Sequence, residues 1–316
     1  MRVVRHHTFG PASVLQLEEL PDPAPGPGQL RVAVEAAGVH LLDTSIRAGV
    51  SFPTSPLPDL PMVPGREVAG RVDQVGEGVE QEWLGRHVVV HLGPGASGGY
   101  AELVVVDAGR VHDVPTGLDS PTAVAAIGTG RTAAGVLDHA AIGPDDVVVV
   151  TSAAGGMGTL LLQGARGAGA RTVALASGPK LEIARRYGAD TALDYRDPGW
   201  AAALREVEPR LTVLLDGVGG DVPRTLHAML EPGGRMVRFS GDRDGYDAPD
   251  RPVVDVLGPA LMSRLVEFEK QALAAAADGT RVPYVGTTFP LAEAAQAHRA
   301  LETRAALGKV VLQVRP

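Results

Sequence analysis

The rhythm of hydrophobic and polar positions changes near residue 120. Before it, apolar residues come in short runs interrupted by polar ones or glycine: Leu30–Val34 (LRVAV), Glu67–Val75 (EVAGRVDQV), His87–His91 (HVVVH) and Tyr100–Val106 (YAELVVV). Glycine and proline punctuate them, as in Pro23–Gly28 (PAPGPG). Short strands so spaced predict an antiparallel, barrel-like β-domain. Pro53–Pro64 (PTSPLPDLPMVP) carries five prolines and reads as a surface loop, because proline lacks the N–H that regular structure uses. Beyond residue 120, apolar strands alternate with helical patterns. Ser120-Pro121 reads as an N-cap followed by a first-turn proline, opening a helix that runs to His139. Strands are predicted at Val147–Thr151, Thr172–Ala176, Thr191–Leu193, Val213–Asp216 and Met236–Phe239, with helices starting near Gly156, Pro179, Gly199 and Val222. This alternation implies a parallel sheet covered on both faces. Val253–Val256 reads as an edge strand. A helix near Ala260–Ala277, the run Thr287–Phe289, a helix over Leu291–Leu301 and a last strand Lys309–Val314 follow.

One βαβ unit carries candidate chemistry. The apolar run Val147–Val150 ends in Ala153-Ala154-Gly155-Gly156-Met157-Gly158, a helical pattern follows, and Thr172–Ala176 is the next strand. In that context a glycine turn places a dinucleotide pyrophosphate on a helix N-terminus, where unpaired N–H groups and the helix dipole favour an anion. A site for NAD has Asp or Glu about 20 residues past the first glycine, on the ribose 2′-hydroxyl. Here that place reads Ala174-Leu175-Ala176-Ser177, and the next acid is Glu182, inside a helix. Ser177 and Lys180 stand at the corner, a hydroxyl and an ammonium suited to a 2′-phosphate. This favours NADP(H). A plainer alternative reads Lys180 as a solubilising residue and Ser177 as a helix cap.

Composition narrows the classes. The 316 residues suffice for two domains, 45% of them are hydrophobic, and the formal net charge of −8 argues against a nucleic-acid surface. The chain has no cysteine, which excludes disulfides, thiolate zinc sites and cysteine nucleophiles. The start, MRVVRHHTFG, has no signal-peptide apolar region, and no apolar run approaches the roughly 20 residues of a membrane span. A soluble cytoplasmic protein is expected.

Seven segments together resemble a known family: AAGVHLLDTSIRAG (36–49), VPGREVAG (63–70), GGYAELVVV (98–106), SAAGGMG (152–158), GADTALDYR (188–196), LLDGVGG (214–220) and LGKVVL (307–312). They resemble the medium-chain dehydrogenase/reductase superfamily, in its zinc-independent, zeta-crystallin-like quinone oxidoreductase branch. The resemblance implies an α/β fold: a Rossmann doubly wound parallel sheet domain plus a GroES-like β-rich catalytic domain, split in sequence. The domains would be 1–119 (first part of the catalytic domain), 120–257 (NADP-binding) and 258–316 (return to the catalytic domain). The catalytic zinc of the family's alcohol dehydrogenases has Cys, His and Cys as ligands, and those places here fall on His40, Arg66 and Gly128. Arginine does not ligate zinc and glycine has no side chain, so no metal site is expected. The branch usually has Asn where His40 stands and often Tyr where Ser45 stands, while Asp43 is retained.

The resemblance further implies that His40 and Asp43 serve the reaction. The cofactor contacts it implies are Thr132, Ala153, Gly155, Gly156, Met157, Gly158, Ser177, Lys180, Tyr195, Gly217, Val218, Gly219, Phe239 and Ser240. Tyr195 would lie against the 2′-phosphate, with the plain alternative of a surface tyrosine. Gly217–Gly219 would approach the nicotinamide half, as the switch-point rule expects. A homodimer is a possible assembly. The expected reaction is NADPH-dependent reduction of a quinone or another α,β-unsaturated carbonyl compound by hydride transfer, without zinc. His40 would then donate a proton or shape the pocket, and Asp43 would orient His40, contact the ribose or cap the helix Leu42–Arg47. Two alternatives stay open: an enoyl-thioester reductase acting on acyl or polyketide-like chains, and a non-catalytic NADPH-binding sensor.

Other motifs fall away. Gly95–Gly99 fits G-x-S-x-G but is followed by a strand pattern rather than the helix a nucleophile elbow needs. His87 and His91 share a strand face but lie about 13 Å apart, too far for one metal. The pair His6-His7 points to opposite faces of an extended segment. His298 sits at core spacing in its helix and reads as packed or capping. Lys309, entering the last strand after Gly308, reads as a structural residue of the chain end.

Overall fold

The structure, a computed structural model, describes all residues except 52–56, 94–96, 240–245, 247, 257 and 316, and the side chain of Ala260. Strands β1 (Arg2–Arg5), β2 (Gln16–Glu19), β3 (Gln29–Val39), β4 (Glu67–Val75), β5 (His87–His91), β6 (Leu103–Asp107) and β7 (His112–Asp113) come first, with helix α1 (Leu41–Arg47) after β3. Helices α2 (Ser120–Ala125) and α3 (Arg131–Ala140) lead into β8 (Val147–Val150), α4 (Gly156–Gly167), β9 (Arg171–Ala176), α5 (Lys180–Arg186), β10 (Thr191–Asp194), α6 (Trp200–Val207), β11 (Val213–Asp216), α7 (Asp221–Met229), β12 (Arg235–Arg238) and β13 (Val253–Asp255). Then come α8 (Pro259–Ser263), α9 (Leu265–Ala277), β14 (Val285–Pro290), α10 (Ala294–Glu302) and β15 (Lys309–Gln313). The chain forms two compact units, Met1–Gly128 with Tyr284–Pro316, and Thr129–Pro283.

In the first unit one sheet runs β14-β15-β3-β4-β5-β7, with β6 also on β3. Along one edge, β3 serves two partners: Gln29–Ala33 pair with β6 and Ala36–Val39 with β15. Its alternation buries Leu30, Val32 and Val34 against Val68, Val88, Val90, Val310 and Leu312. The pairings are antiparallel except β14 with β15, which are parallel. That last pair brings the end of the chain into the first unit's core.

The second unit has six parallel strands in the order β10-β9-β8-β11-β12-β13. Counted within the unit this is 3-2-1-4-5-6, the doubly wound order, with its switch point between β8 and β11. Both faces are buried, so β8 is apolar throughout: Val148 and Val150 pack against α3 and α4 residues, and Val149 faces the opposite cluster with Leu204 and Leu226. Among the described residues no helix is long and apolar enough to cross a membrane.

Four readings change. The helix expected over 121–139 breaks at a π-turn, Ala126–Gly130, between α2 and α3. Its N-cap is Asp119, whose carboxylate accepts the Thr122 N–H at 2.8 Å, while Ser120 sits in the first turn and donates to Glu35. The helix near 260–277 is two, α8 and α9, separated at Arg264. The compact units also divide at 128/129 and 283/284 rather than 119/120 and 257/258. Helix α2 packs on β3, β4 and β5 of the first unit. Helices α8 and α9 pack on α3, where Gly135 makes room for Leu261 and Phe268 and Arg131 pairs with Glu269 at 2.6 Å.

Candidate functional site

In the second unit, the ends of β8 and β11 are tied together at the switch point. Thr151 donates its N–H to Leu215 O (3.1 Å) and its hydroxyl to Asp216 Oδ1 (2.7 Å). The chain then turns through Ser152, at φ +49°, and Gly155 caps α4 in an extended conformation. As at any helix start, first-turn N–H groups lack intrahelical acceptors and are aligned with the dipole. Gly158 is required by space: a Cβ there would lie 2.4 Å from Ser152 O and 2.6 Å from the Ala153 backbone. Ala153 is buried and Met157 packs on the core beneath the turn.

Asp216 is fully buried and organises the segment after β11. Its carboxylate accepts the N–H groups of Val218 and Gly219, both at 3.1 Å, and Gly217 N–H donates to Thr151 Oγ1 at 3.0 Å. A Cβ on Gly217 would lie 2.2 Å from the Phe239 ring, so glycine and Phe239 fit as a pair. Thr132 is half-buried in the first turn of α3. Ser240 lies outside the described residues.

The corner after β9 gathers Ser177, Lys180, Tyr195 and one residue that the sequence reading missed. Tyr195 N–H bonds Ala176 O at 3.2 Å, which brings the end of β10 beside Ser177. Arg196 pairs with Asp194 at 3.1 Å, and its Nη2 lies 2.9 Å from where a Cβ on Gly178 would sit. Asp194 also accepts the Gly178 N–H at 2.9 Å. The Arg196 hydrogen bonds, then the Gly178 N–H, hold the Asp194 carboxyl well below the usual carboxylate range. Ser177 does not cap α5, whose N-cap is Pro179.

The first unit holds a second group of polar residues, where β3, β4, β5 and β15 begin or end. Asp43 is buried; its carboxylate accepts the His40 N–H at 2.9 Å and lies 3.4 Å from both Arg66 Nε and the Tyr100 hydroxyl. Its N–H returns to His40 O at 3.0 Å, so Asp43 fixes the start of α1. The Ser45 hydroxyl donates to Leu41 O within the helix. The Tyr100 hydroxyl meets His298 Nε2 at 3.0 Å. Burial, then the charges of Arg47 and His6, push the His298 imidazole down to about 3.

Around the His40 side chain lie two charged residues that the sequence reading did not assign. Glu67 is fully buried, and its Oε1 lies 2.9 Å from His40 Nε2 and 2.7 Å from Lys309 Nζ. Lys309 Nζ is 3.1 Å from His40 Nε2. Burial raises the Glu67 carboxyl, but the adjacent His40 ring and Lys309 ammonium outweigh it and hold the group far below its usual range. Lys309, read from the sequence as a chain-end structural residue, is buried in this cluster instead. The available signal was its rarity: the chain has three lysines, Lys180, Lys270 and Lys309.

Two families match the sequence, the alcohol dehydrogenase GroES-like domain over residues 26–116 and the zinc-binding dehydrogenase over 187–312. The chain is 32% identical to a 2-haloacrylate reductase of a Burkholderia species, across 99% of this chain and 98% of that one. It is 30% identical to a quinone oxidoreductase of Pseudomonas aeruginosa, across 98% of each. Among solved structures, Escherichia coli quinone oxidoreductase complexed with NADPH superposes with a TM-score of 0.86 at 27% identity, covering 99% of this chain and 100% of that one. The chain belongs to the medium-chain dehydrogenase/reductase superfamily, in its quinone oxidoreductase branch.

For this member of the superfamily, the donor set does not fit zinc. The resemblance puts the family's three catalytic ligands at His40, Arg66 and Gly128. A Cβ on Gly128 would fall 1.4 Å from Glu67 Oε2, so the carboxylate fills the room a third ligand needs. The Lys309 ammonium lies against both Glu67 Oε1 and His40 Nε2, which also approach each other to 2.9 Å. An ammonium has no lone pair to give a metal and repels a cation. The glycine turn, by contrast, fits a dinucleotide pyrophosphate, because Gly158 lets the chain turn tightly from Ser152 into the N-terminus of α4.

Proposed function

We propose that the chain reduces quinones or other α,β-unsaturated carbonyl compounds with NADPH and without zinc. The observation that carries this reading is the Lys309 ammonium, held against both Glu67 and His40, the latter standing where the resemblance puts a zinc ligand. Without a Lewis acid to polarise it, a simple carbonyl is a poor hydride acceptor, whereas a conjugated one spreads the incoming charge onto oxygen. The 2-haloacrylate of the Burkholderia relative is likewise an alkene made electron-poor by a neighbouring carboxylate.

When bound, NADPH supplies the hydride. The backbone of Gly155–Gly158 holds the pyrophosphate. Ser177, Lys180, Tyr195 and Arg196 would hold the 2′-phosphate, with Arg196 kept at the corner by Asp194. Gly217–Gly219 and Phe239 present backbone and ring to the nicotinamide half. His40 donates a hydrogen bond to the acceptor oxygen that gains charge, and Asp43 acts through the His40 backbone as a positioning residue.

Purified protein with NADPH, tested against quinones, short enones, 2-haloacrylates and enoyl thioesters, decides the matter. Oxidation by one or more of the first three classes is expected. Turnover with thioesters alone would move the reading to an enoyl-thioester reductase, and NADPH binding without oxidation by any acceptor to a sensor.

A further inference from the structure

The Glu67–Lys309 pair does more than fill space. We propose that Lys309 is a positioning residue: its ammonium, anchored on Glu67, donates to His40 Nε2 and so keeps the ring proton of His40 on Nδ1. This rests on the reading above in one respect, that His40 serves the acceptor oxygen.

The hydrogen-bond inventory sets the direction. An ammonium has three donors and no acceptor, so a ring nitrogen bonded to it has to accept. A neutral imidazole accepts at one nitrogen and donates at the other. With Lys309 Nζ at 3.1 Å from Nε2, the donor is left on Nδ1. The opposite tautomer would send Nε2–H toward Glu67 Oε1, 2.9 Å away. That arrangement turns the positive end of the N–H toward the ammonium. Its geometry is also poor, since among the described residues neither Glu67 oxygen has a partner at a proper hydrogen-bonding angle, although His40 Nε2 and Lys309 Nζ are both within 3 Å of Oε1.

The cluster is built to hold this arrangement. Glu67 is gripped by two glycines: a Cβ on Gly38 would lie 1.9 Å from its Oε1, and one on Gly128 1.4 Å from its Oε2. Lys309 opens β15, its N–H bonded to Tyr284 O at 2.7 Å. The next residue, Val310, pairs with Val39, which precedes His40. The ladder therefore fixes both ends of the Lys309–His40 contact. Two other titratable groups face the cluster. His91, opposite Glu67 in the ladder, accepts the Gly93 N–H on Nδ1 at 3.1 Å, and Asp43 is bound to the His40 backbone and near Arg66. The pair thus sets the orientation of a hydrogen-bond donor rather than polarising the substrate itself.

The test is ring nitrogen NMR of the full-length protein labelled with 15N-histidine, with the His40 signals assigned by their loss in His40→Gln. Wild type is expected to carry the His40 proton on Nδ1, and Lys309→Met to move it to Nε2. In the same variant kcat for the best acceptor should fall about 10²-fold, the size of a lost transition-state hydrogen bond, while KM for NADPH stays at its wild-type value. A wild-type proton on Nε2, or an unchanged tautomer in Lys309→Met, would overturn the proposal. The wild-type spectrum decides even if the variant does not fold. Because the tautomer is read without turnover, a protein that reduces no acceptor but shows Nδ1–H refutes the functional reading and leaves this inference standing.

Discussion

At the scale of single residues, the first unit stores charge and polarity in its interior, and pH exposes the cost. The folded pKa of Glu67 is depressed, so its contribution to stability is present above the unfolded value of about 4.3 and is lost as pH falls. Glu67→Gln should therefore destabilise the protein at pH 7 by about 3–5 kcal/mol, because Lys309 is left as a buried charge without its partner. Urea unfolding should show that gap narrowing below about pH 4. His298 behaves oppositely in range. The fold holds it neutral, with its pKa pushed down to about 3, so it costs stability as pH falls below about 6.5. His298→Gln should flatten the decline of Tm between pH 6.5 and 4.5 relative to wild type, and an unchanged slope would sink the assignment. Little of this was legible beforehand. His40 and Asp43 stood out from the family resemblance, but Glu67, Lys309, Gly38 and Gly128 meet only through the register of β3, β4 and β15 and the path of the chain at residue 128. Pairing across 242 positions, 309 minus 67, leaves no local pattern.

At the scale of elements, legibility followed the strength of the hydrophobic period. The predicted bounds of β4, β5 and β11 match the structure, because a glycine, Gly76, Gly93 or Gly217, follows the last residue of each within two positions. The helix across 121–139 looked continuous because its alanines and glycines suit either side of a break; the π-turn at Ala126–Gly130 inserts without a sequence signature. The glycine turn was legible because glycine there answers a steric demand. That demand gives a prediction: Gly158→Ala puts a methyl carbon 2.4 Å from Ser152 O, so the start of α4 has to shift. Fluorescence titration should show NADPH affinity weakened by at least about tenfold, or about 1.4 kcal/mol. Gly167→Ala, in the last turn of the same helix with open space around it, should bind like wild type.

At the scale of the whole molecule, the chain leaves its first unit at Gly128 and returns at Tyr284, and the intervening 129–283 carries the complete parallel sheet. The return was legible in the renewed β pattern near the C-terminus. Its position was not, because α8 and α9 have helical patterns that fit either unit, and the packing of Phe268 and Leu261 against Gly135, with the Arg131–Glu269 pair, assigns them. Since Thr129–Pro283 contains the glycine turn and the corner at Ser177, cofactor binding should appear as added stability of the folded protein. A ligand at 100 times its Kd stabilises by about 2.7 kcal/mol, and in a unit of this size each kcal/mol moves Tm by about 2–4 °C. Saturating NADPH should thus raise the Tm of the transition that includes the second unit by roughly 5–10 °C. NADH at the same concentration should raise it less, since the Lys180 and Arg196 charges then meet a hydroxyl rather than a phosphate. Arg196→Asp should shrink the difference between the cofactors by placing a second carboxylate beside Asp194. If NADH stabilises wild type as strongly as NADPH, the corner at Ser177 does not select a phosphate, and the NADPH assignment fails with it.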